Sequence, residues 1–240
     1  MILFREKNIL LDLDGTLLPV NMDNFLKLYF EALTKEFSDL KNREEFIKIL
    51  NQATEKMIRN DGQKVNAEVF KETFFEKVNV ENESEIMSRF DKFYRRKYPK
   101  LKDKLTLKSQ SPELIEILKK ANKNLILATN PLFPREAIEE RIRWAGIDPD
   151  VFDYITCYEE MHYAKPNPNF YDEIAEKMNF APDNSIMIGN NAKEDMIAKK
   201  TGMKTYLVKD YLVSKDSKIT PDWQGSLADL IKVSKRKLLN

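Results

Sequence analysis

Two carboxylates one residue apart, Asp12 and Asp14, follow the apolar run Ile9-Leu10-Leu11 and precede Gly15-Thr16. Side chains alternate along a strand, so an Asp-x-Asp at a strand end can send both carboxylates into one small volume once a glycine lets the backbone turn. Negative charge gathered at the carboxyl end of a strand suits a hard, oxygen-seeking cation and, with it, a phosphate. Alone, the same run is also an ordinary strand ending in a polar turn. Its meaning depends on which other groups reach that volume.

Three later segments offer such groups. Thr129 and Asn130 end the apolar run Leu125-Ile126-Leu127-Ala128, and the Thr129 hydroxyl can hydrogen-bond a phosphate oxygen. Lys165 stands before Pro166, which biases it to extended backbone and fixes its direction. Asn190, Asn191, Glu194 and Asp195 follow Ile186-Met187-Ile188-Gly189. One ammonium, one hydroxyl and a set of carboxylates suit phosphoryl transfer, which consists mainly of positioning and of neutralising charge spread over oxygens. Singly, each has a plainer reading; Asn191 with Glu194 is also a helix N-cap with its capping box. The specific signal is that all four recur in order, each at a strand end.

The elements that must position these groups fall into two blocks. From Asp23 to about Lys100 the apolar spacing is helical, with stripes at Phe25/Leu28/Tyr29/Ala32/Leu33, Phe46/Leu50/Ala53/Met57, Ala67/Phe70/Phe74/Val78 and Ile86/Phe90/Phe93. Asn66 reads as an N-cap, and Asn60-Asp61-Gly62 as a helix-ending turn. After Ser111-Pro112, read as N-cap and first helical residue, strands alternate with helices: strands at 124–130, 152–157, 185–189 and 205–208, and helices opening at Pro134, Asn167-Pro168, Asn191 and Ser226. Trp223 is expected to pack beside the last helix. Alternation of this kind predicts a parallel sheet with helices on both faces. The strand carrying Asp12 belongs to that sheet, so the helical block is an insertion that leaves it directly after the Asp pair. Such an insertion stands over the carboxyl ends of the strands and can act as a lid. Asn21, Met22 and Phe25 are expected near the leaving group. Lys56, Arg59 and Asn60 either reach an anionic group or form a solvated helix end.

Composition narrows the classes. The 240 residues include 42% hydrophobic side chains, enough for a folded core. Basic and acidic residues number 40 and 39, so no overall charge draws the chain to nucleic acid or an anionic membrane. One cysteine, Cys157, excludes an intrachain disulfide framework and fits a cytoplasmic protein. The single histidine, His162, leaves no zinc cluster and no Ser-His-Asp triad to build. No leader is read from Met1 to Leu11, and no apolar run reaches membrane-spanning length.

With these segments in this order the chain resembles the haloacid dehalogenase superfamily, mostly a family of phosphatases. Asp12-Leu13-Asp14-Gly15-Thr16 matches its first motif, Thr129 its second, Lys165 its third, and Gly189 to Asp195 its fourth with one change. The resemblance covers nearly the whole chain. It implies an α/β fold in which a Rossmann-like parallel-sheet core, residues 1–18 and 102–240, carries an all-helical cap at 19–101. It also implies Mg²⁺ and an aspartyl-phosphate intermediate. Asp12 is then the nucleophile, Asp14 the acid and later the base, and Lys165 the neutralising cation. Thr129, Asn130, Gly15 and Thr16 surround the phosphoryl oxygens. Asp12, the backbone carbonyl of Asp14, Asn190 and Asp195 make the metal set. The change is Asn190, where the family has a metal-binding aspartate; the amide keeps an oxygen but removes one negative charge. The expected function is a Mg²⁺-dependent phosphatase acting on a small phosphorylated metabolite, without nucleic-acid or membrane partners. The alternatives are a phosphomutase on the same scaffold and a ligand-binding protein whose metal chemistry was lost with Asn190. Dehalogenases of the family lack a carboxylate at the position of Asp14, which disfavours carbon–halogen hydrolysis.

Overall fold

The computed structural model describes residues 5–238, so the leader reading from Met1 and the core segment beginning at residue 1 start outside the described residues. Strands β1 (Asn8–Leu11), β2 (Asn124–Leu127), β3 (Tyr154–Ile155), β4 (Ser185–Gly189), β5 (Lys204–Val208) and β6 (Trp223–Gly225) form one parallel sheet in the order β3-β2-β1-β4-β5-β6. The order reverses at β1, and open α/β sheets bind ligands outside the strand ends at such a point. β1 and β4 are buried at every position, as continuous apolar strands between two helical layers must be. Leu11 pairs with Ile188 and with Leu127, so Asp12, Asn190 and Thr129 leave the sheet along one edge.

Between β1 and β2 the chain forms α1 (Met22–Glu36), α2 (Arg43–Ile58), α3 (Asn66–Val78) and α4 (Glu83–Arg96), followed by a 3₁₀ segment at Tyr98–Lys104. Asn21, Asn42 and Asn82 cap α1, α2 and α4 by accepting a backbone N–H three residues on. The apolar stripes meet inside this insert: Phe37 packs on Phe46 at 5.2 Å and on Phe90 at 4.4 Å between ring centroids. One hydrophobic cluster runs without a break from Ile9 and Ile188 of the sheet to Phe46 and Phe74 of the insert. The remaining helices are α5 (Ser111–Lys120), α6 (Arg135–Trp144), α7 (Asn169–Lys177) and α8 (Leu227–Leu238). This is the α/β core with an all-helical insert that the sequence leads one to expect.

Three local expectations are corrected, and one strand is added. Val65 rather than Asn66 caps α3; Asn66 is buried and bonds Asn60 and the Pro131 carbonyl. Ser111 is helical and donates to the Leu17 carbonyl at 2.6 Å, tying α5 to the turn after the Asp pair. The segment after Asn191 is a turn leading into a 3₁₀ helix at Met196–Thr201, not one α-helix. Trp223 opens an edge strand, paired with Tyr206. No helix among the described residues is long and apolar enough to cross a membrane.

Candidate active site

β1 ends when the Asp12 N–H donates to the Ile188 carbonyl at 2.9 Å. The chain then curls back, with Thr16 N–H and Leu18 N–H both donating to the Leu13 carbonyl. Gly15 makes this possible in two ways. Its φ is +82°, and a Cβ there would lie 2.2 Å from Nδ2 of Asn190. The curl returns the Thr16 hydroxyl to the strand end, where it lies 3.1 Å from Oδ2 of Asp12 and 3.3 Å from Oδ1 of Asn190.

Lys165 comes in from the loop before α7. Its ammonium is 1% exposed and bonds Oδ1 of Asp12 at 3.1 Å and Oδ1 of Asp195 at 2.6 Å. Burial works to lower its pKa, yet the two carboxylates together hold it well above the usual lysine value, so it is a cation. The other Asp195 oxygen accepts the Asn191 N–H at 2.8 Å. Asp195 is deeply buried, and that burial pushes its carboxyl upward even against the Lys165 charge. Gly189 leaves it room, since a Cβ at that position would lie 2.2 Å from Oδ2.

Asn130 clamps this arrangement from β2. Its oxygen accepts the Lys165 N–H at 3.1 Å, and its Nδ2 donates to Glu194 at 3.1 Å and to the Lys165 carbonyl at 3.4 Å. Thr129 is buried, and its carbonyl accepts the Thr156 hydroxyl at 2.7 Å. Asn191 does cap the turn, accepting from Lys193 and Glu194 N–H, but the Glu194 side chain turns to Asn130 instead of closing a capping box. Burial raises the Glu194 carboxyl pKa.

The sequence reading missed Arg141. This α6 side chain is 1% exposed and meets Asp14 at 3.2 Å. Its guanidinium packs against the ring of Phe133 from the core, at 4.4 Å, and the ring of Phe25 from the inserted α1, at 5.5 Å. The pair is incompletely satisfied: Oδ1 of Asp14 and Nε and Nη1 of Arg141 have no hydrogen-bond partner among the described residues. Burial raises the Asp14 pKa, Arg141 opposes this, and Asp12 adds to it. A carboxyl held above its ordinary range near a nucleophilic carboxylate has the character of a general acid.

Other expected contacts lie elsewhere. Arg59 pairs with Glu55 on the surface at 2.6 Å, while Asn60 is buried in bonds to Asn66 and the Lys64 carbonyl. Arg95 pairs with Glu136. His162 bonds Glu173 at 2.8 Å, and Cys157 is a buried free thiol.

The donors fit a hard cation in type. Oδ2 of Asp12 and Oδ1 of Asn190 both approach the Thr16 hydroxyl, and both are oxygens. They are poor in charge: among the described residues no three His, Cys, Asp or Glu side chains converge as a metal set. Asn190 is itself anchored, its Nδ2 donating to the Tyr211 carbonyl at 2.5 Å.

The profile of the haloacid dehalogenase-like hydrolases matches residues 9–208. A curated relative, the pyrophosphatase PpaX of Bacillus mycoides, is 20% identical over 206 residues, covering 85% of this chain and 84% of its own. Among solved structures, the HAD-hydrolase YfnB of Bacillus subtilis, bound to magnesium, aligns with a TM-score of 0.59 at 20% identity, over 96% of this chain and 99% of its own. An L-2-haloacid dehalogenase from Xanthobacter autotrophicus aligns with a TM-score of 0.56 at 15% identity, over 98% and 99% of the two chains. The two structures share the fold.

Proposed function

The chain belongs to the haloacid dehalogenase-like hydrolase family, and from that premise we propose that it is a Mg²⁺-dependent phosphatase acting on the phosphate monoester of a small cytoplasmic metabolite. The observation that carries this reading is Asp14, a largely buried carboxyl paired with Arg141 two residues beyond a carboxylate that Lys165 and Thr16 hold in place. An alkoxide leaving from phosphorus needs a proton, and Asp14 can give one; a departing halide needs none.

In this mechanism Asp12 attacks phosphorus, forming an Asp12–O–P bond as the bond to the leaving oxygen breaks and Asp14 protonates that oxygen. The Asp14 carboxylate then takes a proton from water as the water oxygen attacks phosphorus and the Asp12–O–P bond breaks. Lys165 offsets the charge on Asp12 and the transferring group, Asp195 and Asn130 hold Lys165, and Thr129 with the amides after Asp12 meets the phosphoryl oxygens. Asp12, Asn190 and the Asp14 carbonyl would hold Mg²⁺, which when bound supplies further neutralisation of phosphoryl charge.

Hydrolysis of a generic aryl phosphate, with and without Mg²⁺, tests the reading. Pyrophosphate belongs beside it in the panel because the curated relative carries that name. Asn190 favours a second reading, a fold kept for binding without metal chemistry. Folded protein inactive with several divalent metals supports that reading and contradicts the first.

Two variants probe the parts. Lys165→Met leaves Asp12 and Asp195 buried side by side without their shared cation and is expected to lower kcat by ~10²–10³-fold in steady-state assays. Asn190→Asp adds a negative charge among the metal donors. A unit charge at ~4 Å is worth about 4 kcal/mol at an effective dielectric of ~20 before desolvation, so calorimetry is expected to show Mg²⁺ binding at least ~10-fold tighter. Equal or looser binding contradicts the placement of Asn190 beside the metal.

A further inference from the structure

A cavity of about 400 Å³ lies between the inserted helices and the core loop after β2. That is within the roughly 300–1,000 Å³ of small-molecule pockets. Its walls are mostly apolar: Phe30, Phe70, Phe90 and Tyr94 from the insert face Phe133 and Tyr158 from the core. Its charged lining is of one sign. Asp91, Glu136 and Glu159 border it, and among the described residues no Lys, Arg or His does. Arg95, outside the lining, pairs with Glu136, and the Arg135 N–H donates to Glu159, whereas Asp91 makes no ion pair among the described residues.

Two contacts join this cavity to the reacting groups. Phe133 is both a wall of the cavity and the ring beneath Arg141, which holds Asp14. Met22 borders this cavity and also a second one, of about 670 Å³, which has Asn190 in its wall. The apolar, acid-edged space is thus set one ring and one guanidinium away from Asp14. An anionic group there would lose its hydration and meet Asp91, Glu136 and Glu159, of which Glu136 alone has an ion pair among the described residues, to Arg95. An uncharged ring would bury apolar surface against the aromatic walls.

We propose that this cavity takes the leaving group of the substrate, and that the leaving group is apolar, ring-sized and without negative charge. The assignment rests on the phosphatase reading above, and it sets the preferred substrate apart from pyrophosphate and from phosphates whose other end is a carboxylate or a second phosphate.

Calorimetric binding of three phosphonates in the presence of Mg²⁺ tests it independently of turnover. Benzylphosphonate is expected to bind at least ~10-fold tighter than methylphosphonate, and 4-carboxybenzylphosphonate to lose that gain. Thr54→Phe, which fills the cavity from α2, is expected to erase most of the benzyl gain while methylphosphonate binds as before. Asp91→Asn, at an exposed position, is expected to narrow the gap between the carboxylated and plain rings severalfold, and keeps the test open if the Thr54 variant does not fold. Benzyl binding no tighter than methyl, or a carboxylated ring bound as well as the plain one, overturns the inference and leaves the phosphatase reading standing. Failure of all three phosphonates to bind overturns both.

Discussion

Asp12→Asn is expected to lower kcat by at least ~10⁴-fold toward any phosphate ester while leaving the fold nearly as stable as before. An amide cannot act as the oxygen nucleophile, and the remaining groups only position and neutralise. The fold tolerates the change because Lys165 keeps its shorter bond, 2.6 Å to Asp195, so no ammonium is orphaned. The Thr16 hydroxyl can still donate to the amide oxygen. Urea unfolding should show a difference of ~1 kcal/mol or less, and steady-state kinetics the loss of turnover. Asp14→Asn should behave differently. With a good phenolate leaving group the first bond change needs little help from an acid, so the greater loss should fall on the second, hydrolytic half.

Arg141→Met is expected to cost about 3–5 kcal/mol of stability near pH 8, because it leaves the Asp14 carboxylate beneath the insert without its cation. The deficit should shrink on acidification, and the sign follows from Asp14. Its pKa is already raised by burial against the pull of Arg141, and removing the cation raises it further. The native variant then keeps a proton that the unfolded chain releases above about pH 4. The unfolded state binds fewer protons, so stability falls as pH rises through that window. Adding Asp14→Asn to Arg141→Met should restore most of the loss, since a pair replaced together leaves no buried charge unpaired. Unfolding curves of the single and double variants at about pH 5 and about pH 8 measure all of this. A second effect is kinetic. With an alkyl phosphate, the alkaline limb of kcat/KM should move to higher pH in Arg141→Met, because Asp14 retains its acid proton longer.

Arg141 also marks where the sequence stopped being legible. The Asp12/Asp14 pair and the fourth segment were readable because each sits at the end of an apolar strand, and strand ends in a parallel sheet share one edge; Lys165, expected at a strand end, comes instead from the loop between β3 and α7. Arg141 lies inside an amphipathic helix, where one arginine among several looks like solvent-facing charge. Its signal was phase: with Ile138, Ile142 and Ala145 it falls on the buried side of α6. The inward roles of Asn130 and Ser111 depend on partners 35 and 94 residues away, which no local window contains. β6 was missed because three residues ending in Gly225 show no alternation and owe their strand form to pairing with β5. The stretch after Asn191 was read as one helix, but the Asp195 side chain bonds the Asn191 N–H and Lys165, and the chain tightens to a 3₁₀ turn there.

The central claim is that Asp12 carries the phosphoryl group in a covalent intermediate. Acid-quenched single turnover of an aryl phosphate with Mg²⁺, in the Asp14→Asn background that slows hydrolysis, followed by mass mapping of the peptides, tests it directly. The account predicts phosphate on Asp12, building up and decaying in step with phenol release and phosphate release. Turnover with no phosphorylated Asp12 at any time point, or with the phosphate on another residue, contradicts it.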